Sequence, residues 1–371
     1  IALSYASLWL AAPALVLGKT RWLATARLAL LACITTTLVA PVALLADLHQ
    51  PLRFWHFYAY ANSTSWMSIG SLILPLYVVS VLALSWLAWR PALQANHNAR
   101  GLSGWVARLA SFGNGQTPKW LVAAVGLAAL VLSTGIMLYT GAEIAVVKAR
   151  PLWNTLWLPP MLIATGFISA AGLIMVLNRV SGFQDTDCNR FMLKTLLVSG
   201  GVAAFIAIGW LLNGLLADSG SVAAALESVR YSSAWRNTAL WGAISGVVLF
   251  AAVVWALSRP AGHQASLMAW AWLIGLFALH MGWMFRWVVL MDVQTVARHS
   301  AGFHHYGIPA GSSGLLGIVG TFGLWLAAAL IIDLFVPWRQ AQQGGSATSP
   351  TFPDNAQSSA NPAIQGAPRH G

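Results

Sequence analysis

Apolar residues fill this chain in long unbroken runs, and polar residues are confined to the stretches between them. Nine runs stand out: 1–17, 23–46, 65–89, 119–141, 155–178, 192–216, 238–257, 265–289 and 313–337. About 20 residues at a helical rise of roughly 1.5 Å match the hydrocarbon thickness of a bilayer. Backbone polar groups at that depth find partners only within their own segment, so each run predicts a transmembrane helix. The first run is short and begins at Ile1 without a Met. No basic stretch precedes it, so it reads as a span that lacks its start rather than as a signal-peptide core. The expected fold class is an all-α integral membrane protein of about nine transmembrane helices, over residues 1–338.

Charge assigns the two faces. Lys19, Arg21, Arg27, Arg90, Arg100, Arg108, Lys119, Arg179, Arg190, Lys194, Arg259 and Arg339 fall in one set of loops and span ends. The alternate set holds Arg53, Lys148, Arg150, Arg230, Arg236, Arg286 and Arg298. The positive-inside rule makes the first set cytoplasmic and places the C-terminus inside. Much of the net charge of +11 is thereby a topological signal, and nucleic acid is not an expected partner. The stretch 339–371, rich in Gly, Ser, Pro, Ala and Gln, cannot bury a core and is expected to be a disordered cytoplasmic tail.

Composition narrows the chemistry. Of 371 residues, 58% are hydrophobic and only 8% charged. Two cysteines, Cys33 and Cys188, are too few for an iron–sulfur cluster with its roughly four ligands. They are also expected at different depths, which argues against a disulfide. His280 alone among the histidines lies deep in a span, and one buried His more often packs and hydrogen-bonds than ligates haem. The subunit is therefore expected to carry neither haem nor a cluster.

Against that sparse background, "ADLHQPLRFWHFY" (46–58) places an acid, two histidines and an arginine at the end of a hydrophobic run. It shares the outer face with "YTGAEIAVVKARPLWNT" (139–155) and with "RWVVLMDVQTVARHSAGFHHYGIPAG" (286–311). Asp47, Glu143, Asp218, Glu227 and Asp292, five of the nine acidic residues, lie on that side too. Ionisable groups near membrane depth are costly and by default mark a site. Tyr139 and Glu143, spaced i, i+4, share one helix face. With the span centred near Val131, Tyr139 lies about 12 Å from the midplane. That depth suits the head group of a lipid-soluble quinol, whose oxidation releases two protons with two electrons. Tyr139 would hydrogen-bond the head group, and Asp47, His49 and Glu143 would receive protons. Arg53 and Arg150 would pair with the carboxylates, and His56 and Trp66 would support the pocket.

Plainer readings stand beside these. Trp55, Phe57, Tyr58 and Trp66 are also what an interfacial aromatic belt contains. Asp47 and Arg53 also fit a structural pair at a helix end. The small residues of "TSWMSIGS" (64–71) also serve close helix packing. His304 and His305, being adjacent, suit a loop or partner contact better than one metal, and Asp333 reads as interfacial.

The same stretches resemble the membrane subunits of the polysulfide reductase (NrfD-type) family. The resemblance is carried by "ADLHQPLRFWHFY", "SWMSIGSLILPLY" (65–77), "YTGAEIAVVKARPLW" (139–153), and "VQTV" (293–296) followed by "GIVGTFGLW" (317–325). Within the family the likeness leans to the tetrathionate reductase membrane subunits. It spans roughly residues 1–338. It implies a haem-free, quinol-oxidising anchor of eight or nine helices in the bacterial inner membrane. Such an anchor would hold a ferredoxin-like iron–sulfur subunit on the periplasmic face, which feeds a molybdopterin catalytic subunit. Family members bind quinone beside a Tyr of the fourth span, matched by Tyr139, and also use polar residues of the first span, a region partly missing here. An anchor of a polysulfide, thiosulfate or dimethyl-sulfoxide reductase is the alternative within the class. A transporter lacks support in inverted repeats or broken helices. A purely structural anchor leaves the shared face of Tyr139 and Glu143 without purpose. The resemblance leaves menaquinol and ubiquinol undistinguished.

Overall fold

The computed structural model describes residues 1–48, 50–111, 117–217, 220–259, 264–296, 302–304 and 307–339, with only the backbone of Asp47 and of residues 264–269. The helices in chain order are α1 (Ala2–Leu15), α2 (Leu23–Asp47), the single turn α3 (His56–Ala59), α4 (Trp66–Ala95) and α5 (Leu102–Ala110). Next come α6 (Lys119–Ala145), α7 (Leu158–Val180), α8 (Thr186–Ala217), α9 (Gly220–Tyr231) and α10 (Ser233–Ser258). Finally α11 (Gln264–Trp287) runs through a π-helical turn, Val288–Asp292, into α12 (Val293–Thr295), and α13 (Leu315–Phe335) follows. Extended pairing among the described residues amounts to one antiparallel bridge, Val296 to Phe303.

Eight of these helices are long and apolar enough to cross a membrane, and α1 is a shorter apolar helix beside them. The chain is an all-α, multi-pass membrane protein, as the nine apolar runs predict. Helices α4 and α8 extend beyond their apolar runs because helical pairing continues past the hydrocarbon. Prolines are placed where helices tolerate them or bend. Pro159 and Pro160 open α7, where an N–H would lack an intrahelical partner, whereas Pro13, Pro41, Pro75 and Pro91 lie inside helices.

Two helices escape the hydropathy pattern. Between α4 and α6, α5 turns Gly104 and Ala107 inward and exposes Leu102, Trp105 and Leu109. The Trp86 indole donates to the Ala110 carbonyl at 2.6 Å and fixes its end. Helix α9 is likewise short and pinned, with the Trp210 indole donating to Ser221 Oγ at 3.1 Å.

Packing without a hydrophobic drive between helices depends on close approach and on polar contacts. The most extensive contact joins α7 to α11. There Gly172 and Gly275 face each other so closely that a Cβ on either would stand 2.5 Å or 2.7 Å from the other's carbonyl oxygen. Gly282 of α11 lies as tightly against Ser169. Helix α6 meets α7 through Gly141 against Pro159.

Polar contacts converge on α1. Ser4 Oγ bonds the Tyr77 hydroxyl of α4 at 2.6 Å and the Thr37 hydroxyl of α2, with Cys33 alongside. On an adjoining face the Tyr5 hydroxyl donates to the Leu162 carbonyl of α7 at 3.4 Å. The Trp9 indole donates to Ser133 Oγ of α6 at 3.0 Å. Arg286 of α11 enters the same core. Its guanidinium donates to the Leu162 carbonyl at 3.0 Å, to Thr165 Oγ1 at 3.3 Å and to the Gly282 carbonyl at 3.2 Å, and it also hydrogen-bonds Tyr5. The cation is thus satisfied by backbone and hydroxyl oxygens.

At the end of the bundle richest in Lys and Arg, exposed ion pairs close the surface. Arg21 meets Asp187 at 3.4 Å, and Arg339 meets Asp333 at 2.9 Å. Asp333 also accepts from the Trp338 indole at 2.8 Å, and Arg27 donates to the Arg339 carbonyl at 2.8 Å. Asp333 is thereby tied into a surface anchor, in keeping with an interfacial role. The remainder of the tail, 340–371, lies outside the described residues.

The small-residue seam yields a direct test. Gly275→Val should force α7 and α11 apart and cost about 1–3 kcal/mol or more, the usual penalty for overpacking. Gly323→Val on α13, where a Cβ would meet nothing within 4 Å, should be tolerated. Thermal unfolding of detergent-purified variants measures both, and equal midpoints would refute the seam's role.

Candidate functional site at the end of α2

The site begins where α2 ends. The chain leaves α2 at Leu48 in an extended conformation and enters a 3-10 turn opened by Pro51 (Pro51–Arg53). It then makes the single turn of α3 and reaches α4 through a tight bend. Asn62 organises that bend. Its Oδ1 accepts from the Thr64 N–H at 3.0 Å and from the Thr64 hydroxyl at 2.8 Å, while its own N–H donates to Ser68 Oγ at 2.9 Å. Short Asx side chains commonly build such turns by mimicking backbone acceptors. The loop therefore folds back over the first turn of α4.

Between loop and helix lies a pocket of about 530 Å³, whose walls include Leu48, Arg53, His56, Phe57, Met67 and Ser68. Arg53 and His56 thus line one cavity, whose walls mix apolar side chains with polar ones. His56 is flanked by Trp55, edge-on with centroids 4.0 Å apart, and by Tyr60 at 5.5 Å. Trp66, the first residue of α4, is 39% exposed and sits between the lining residues Ser65 and Met67.

Tyr139 approaches the same helix from α6. Its ring lies directly against Gly70, two residues beyond Ser68, and a Cβ at that position would overlap the ring. Tyr139 and Glu143 interact as hydrogen-bond partners, as their shared face predicts. The small residues of "TSWMSIGS" therefore serve packing and site at once: Gly70 makes room for the phenol, and Ser68 belongs to the pocket wall.

The remaining expected residues fall elsewhere or beyond description. Asp47 ends α2 next to Leu48 of the pocket, but its side chain lies outside the described residues, as does all of His49. Asp218, Arg298 and His305 also lie outside them. Arg150 donates to the carbonyls of Val293 at 2.9 Å and Val296 at 3.2 Å, and its guanidinium lies over the Trp153 ring at 5.3 Å. It clamps the loop after α6 onto the end of the α11–α12 segment.

That clamp has further members. The Trp153 indole donates to the Val289 carbonyl in the π-helical turn at 2.5 Å, and the Trp235 indole donates to Thr295 Oγ1 at 3.2 Å. His304 donates its backbone N–H to the Thr295 carbonyl at 2.7 Å, which makes it part of a loop contact. π-Turns loosen helical pairing and free carbonyls, and here Arg150 and Trp153 take them up. Cys33 and Cys188 are both buried and free.

Sequence reasoning named Arg53, His56, Tyr139 and Glu143, read Phe57 only as a belt aromatic, and passed over Asn62 and the specific role of Gly70. A lone Gly one helical turn inside the start of an apolar span was the available signal for Gly70. Arg286 was counted only as a span-end charge, although its position within an apolar run was the clue to an internal partner.

Comparison with known proteins places the chain in a family. The family described as polysulphide reductase, NrfD, matches residues 1–297. The chain is 35% identical over 304 residues to the C subunit of tetrathionate reductase from Salmonella typhimurium, covering 82% of this chain and 79% of that protein. It is 24% identical over 196 residues to the C subunit of selenate reductase from Mesobacillus selenatarsenatis, covering 49% of this chain and 46% of that one. A match over most of its length, joined to a bundle of apolar helices, makes the chain a member of the NrfD polysulphide reductase family.

Proposed function

We propose that this chain is the quinol-oxidising membrane anchor of a tetrathionate reductase-type complex in the bacterial inner membrane. The observation that carries the reading is the pocket with Arg53 and His56 in its wall; Tyr139 does not line it but packs on Gly70, two residues along α4 from the lining residue Ser68. The pocket's lining combines apolar side chains such as Leu48, Phe57 and Met67 with hydrogen-bonding ones such as Arg53, His56 and Asn62, a mixture that a polar ring on an apolar tail can use. The excess of Lys and Arg at the opposite end supports a periplasmic location for it.

The chemistry follows from the groups present. A quinol loses two electrons and two protons and becomes a quinone. The Tyr139 hydroxyl hydrogen-bonds a head-group oxygen, and Glu143 accepts a proton through or beside it. His56, with Asp47 and His49 at the adjoining helix end, passes protons to outer water, a task suited to imidazole near neutral pH. Arg53, a cation in the pocket wall, favours the negative charge that builds on the head group as its protons leave. Trp66 and the other aromatic residues sit where an interface belt is expected and flank the entry from the bilayer. Arg150 supports the site by holding the outer loops in place. The quinol is substrate; neither haem nor cluster is assigned to this subunit.

Electrons leave to a ferredoxin-like iron–sulfur subunit seated on the outer loops and then to a molybdopterin subunit that reduces the acceptor. The likeness to the C subunits of two reductases supports this assignment of partners. Protons and electrons exit on one side, so the reaction itself separates no charge across the membrane.

Tyr139→Phe should lower quinol oxidation by the assembled complex about 10–100-fold, the equivalent of one strong hydrogen bond to the reacting group. Acceptor reduction driven by reduced viologen, which bypasses the anchor, reports that the complex has assembled. Normal quinol oxidation by that variant would refute the site. Gly70→Val should reproduce the loss without touching a polar group, because the added side chain displaces the Tyr139 ring.

A further inference from the structure

His280 is the residue that the outer site leaves unexplained. It lies within about one turn of the middle of the span Trp270–Thr295, and its side chain is exposed on the lipid-facing side of α11. The Trp241 indole of α10 donates to His280 Nε2 at 3.1 Å. An indole nitrogen can only donate, so Nε2 carries the lone pair and Nδ1 carries the proton. That Nδ1–H meets no acceptor among the described residues. In hydrocarbon an unsatisfied donor costs several kcal/mol, and water is absent at that depth. Phospholipid head groups stand about 15 Å away, at the edge of a hydrocarbon layer of about 30 Å.

The surroundings restrict what supplies the acceptor. The Phe277 and His280 rings are parallel within 5°, with centroids 6.3 Å apart. Trp241 stands edge-on to the imidazole at 6.0 Å. Trp283, one turn further along α11, is 45% exposed and contacts Phe322 of α13 at 5.4 Å. Parallel and edge-on aromatic faces beside one donor suit a flat conjugated ring with a carbonyl oxygen. They suit less well the interdigitating aliphatic side chains of another helix.

We infer that His280, Trp241 and Phe277 form a second, mid-bilayer site for the ring of a quinone, held by a hydrogen bond from His280 Nδ1–H to a quinone carbonyl. The inference rests on the proposed use of quinol by this chain, because that reading puts the carrier in the surrounding bilayer. The site lies on the α10–α11 surface, apart from the pocket between the 48–65 loop and α4. It binds without chemistry, as a station from which the carrier exchanges with the pool.

The test uses native membranes holding the assembled complex, irradiated with an azidobenzoquinone bearing a long alkyl chain. Labelled peptides are mapped by mass spectrometry. Label is expected on the peptide containing residues 277–287, suppressed by excess unlabelled alkylquinone and reduced at least fivefold in His280→Phe. An apolar aryl azide without carbonyls should label that peptide equally in both proteins, which shows that α11 remains folded and lipid-accessible. Equal quinone labelling of wild type and His280→Phe would overturn the inference, as would an α11 peptide cross-linked to another polypeptide. Absence of label on peptides around residues 53–70 and 139 would count instead against the outer pocket as the site of oxidation.

Discussion

Hydrocarbon offers no hydrogen bonds, so every polar group that this chain carries into the membrane must bring its partner with it. That constraint selects helices throughout, and it also explains why several polar side chains at depth occur in connected groups, the buried hydroxyls of Ser7, Ser85 and Ser245 being exceptions. Ser4 joins Thr37 and Tyr77, while the adjacent Tyr5 joins Leu162 and Arg286. Because neighbouring residues of a helix point about 100° apart, Ser4 and Tyr5 reach different partners, and one short helix ties α2 and α4 to α7 and α11. It packs against α2, α6 and α7, the last being the helix at the centre of the bundle's contacts, whereas α13 meets few of these groups and leaves most of its surface uncovered. Arg286 shows the constraint at its strictest: with no described carboxylate beside it, carbonyl and hydroxyl oxygens share its charge.

The outer site relaxes the same constraint in stages. At the end of α2 the chain can become an irregular loop because water replaces hydrocarbon there. The loop directs its polarity inward: Asn62 binds Thr64 and Ser68, and Arg53 and His56 turn to a cavity. One turn deeper, irregular backbone is excluded, and side chains on regular helices supply the polar groups. Tyr139 and Glu143 do so from α6, with Gly70 clearing the space on α4. A ligand that is apolar at one end and hydrogen-bonding at the other matches this gradient at the depth where the two regimes meet.

How far the sequence spoke follows from the kind of information it holds. Hydropathy belongs to each segment alone, and the nine apolar runs therefore became eight long helices and one short one. The i, i+4 relation of Tyr139 and Glu143 is equally local and survived intact. Helices α5 and α9 are too short to register as spans, and they are held by packing on neighbouring helices together with a tryptophan hydrogen bond each, contacts that a hydropathy pattern does not encode. Partner choice is a property of pairs. Arg150, expected beside a carboxylate, directs its described bonds to carbonyls exposed near a π-turn. That turn leaves acceptors close by, and nothing in a run of Val and Leu announces it. Gly70 was legible as a small residue but not as the seat of a particular ring.

His280 extends the same reasoning to the lipid face. A polar side chain turned inward is explained by the groups it meets, as Ser4 and Arg286 are. One turned outward at mid-depth is half explained by Trp241, which accounts for one imidazole nitrogen and, by occupying it, forces the proton onto the other. The indole therefore converts an ambivalent ring into a fixed donor aimed at the bilayer. A sequence that needed only bulk there had Leu or Phe available, with no polar group to satisfy. A hydrogen-bonded tautomer at that depth is a destabilisation that only an occasional acceptor from outside the chain can offset, and in a bilayer the mobile acceptors are few.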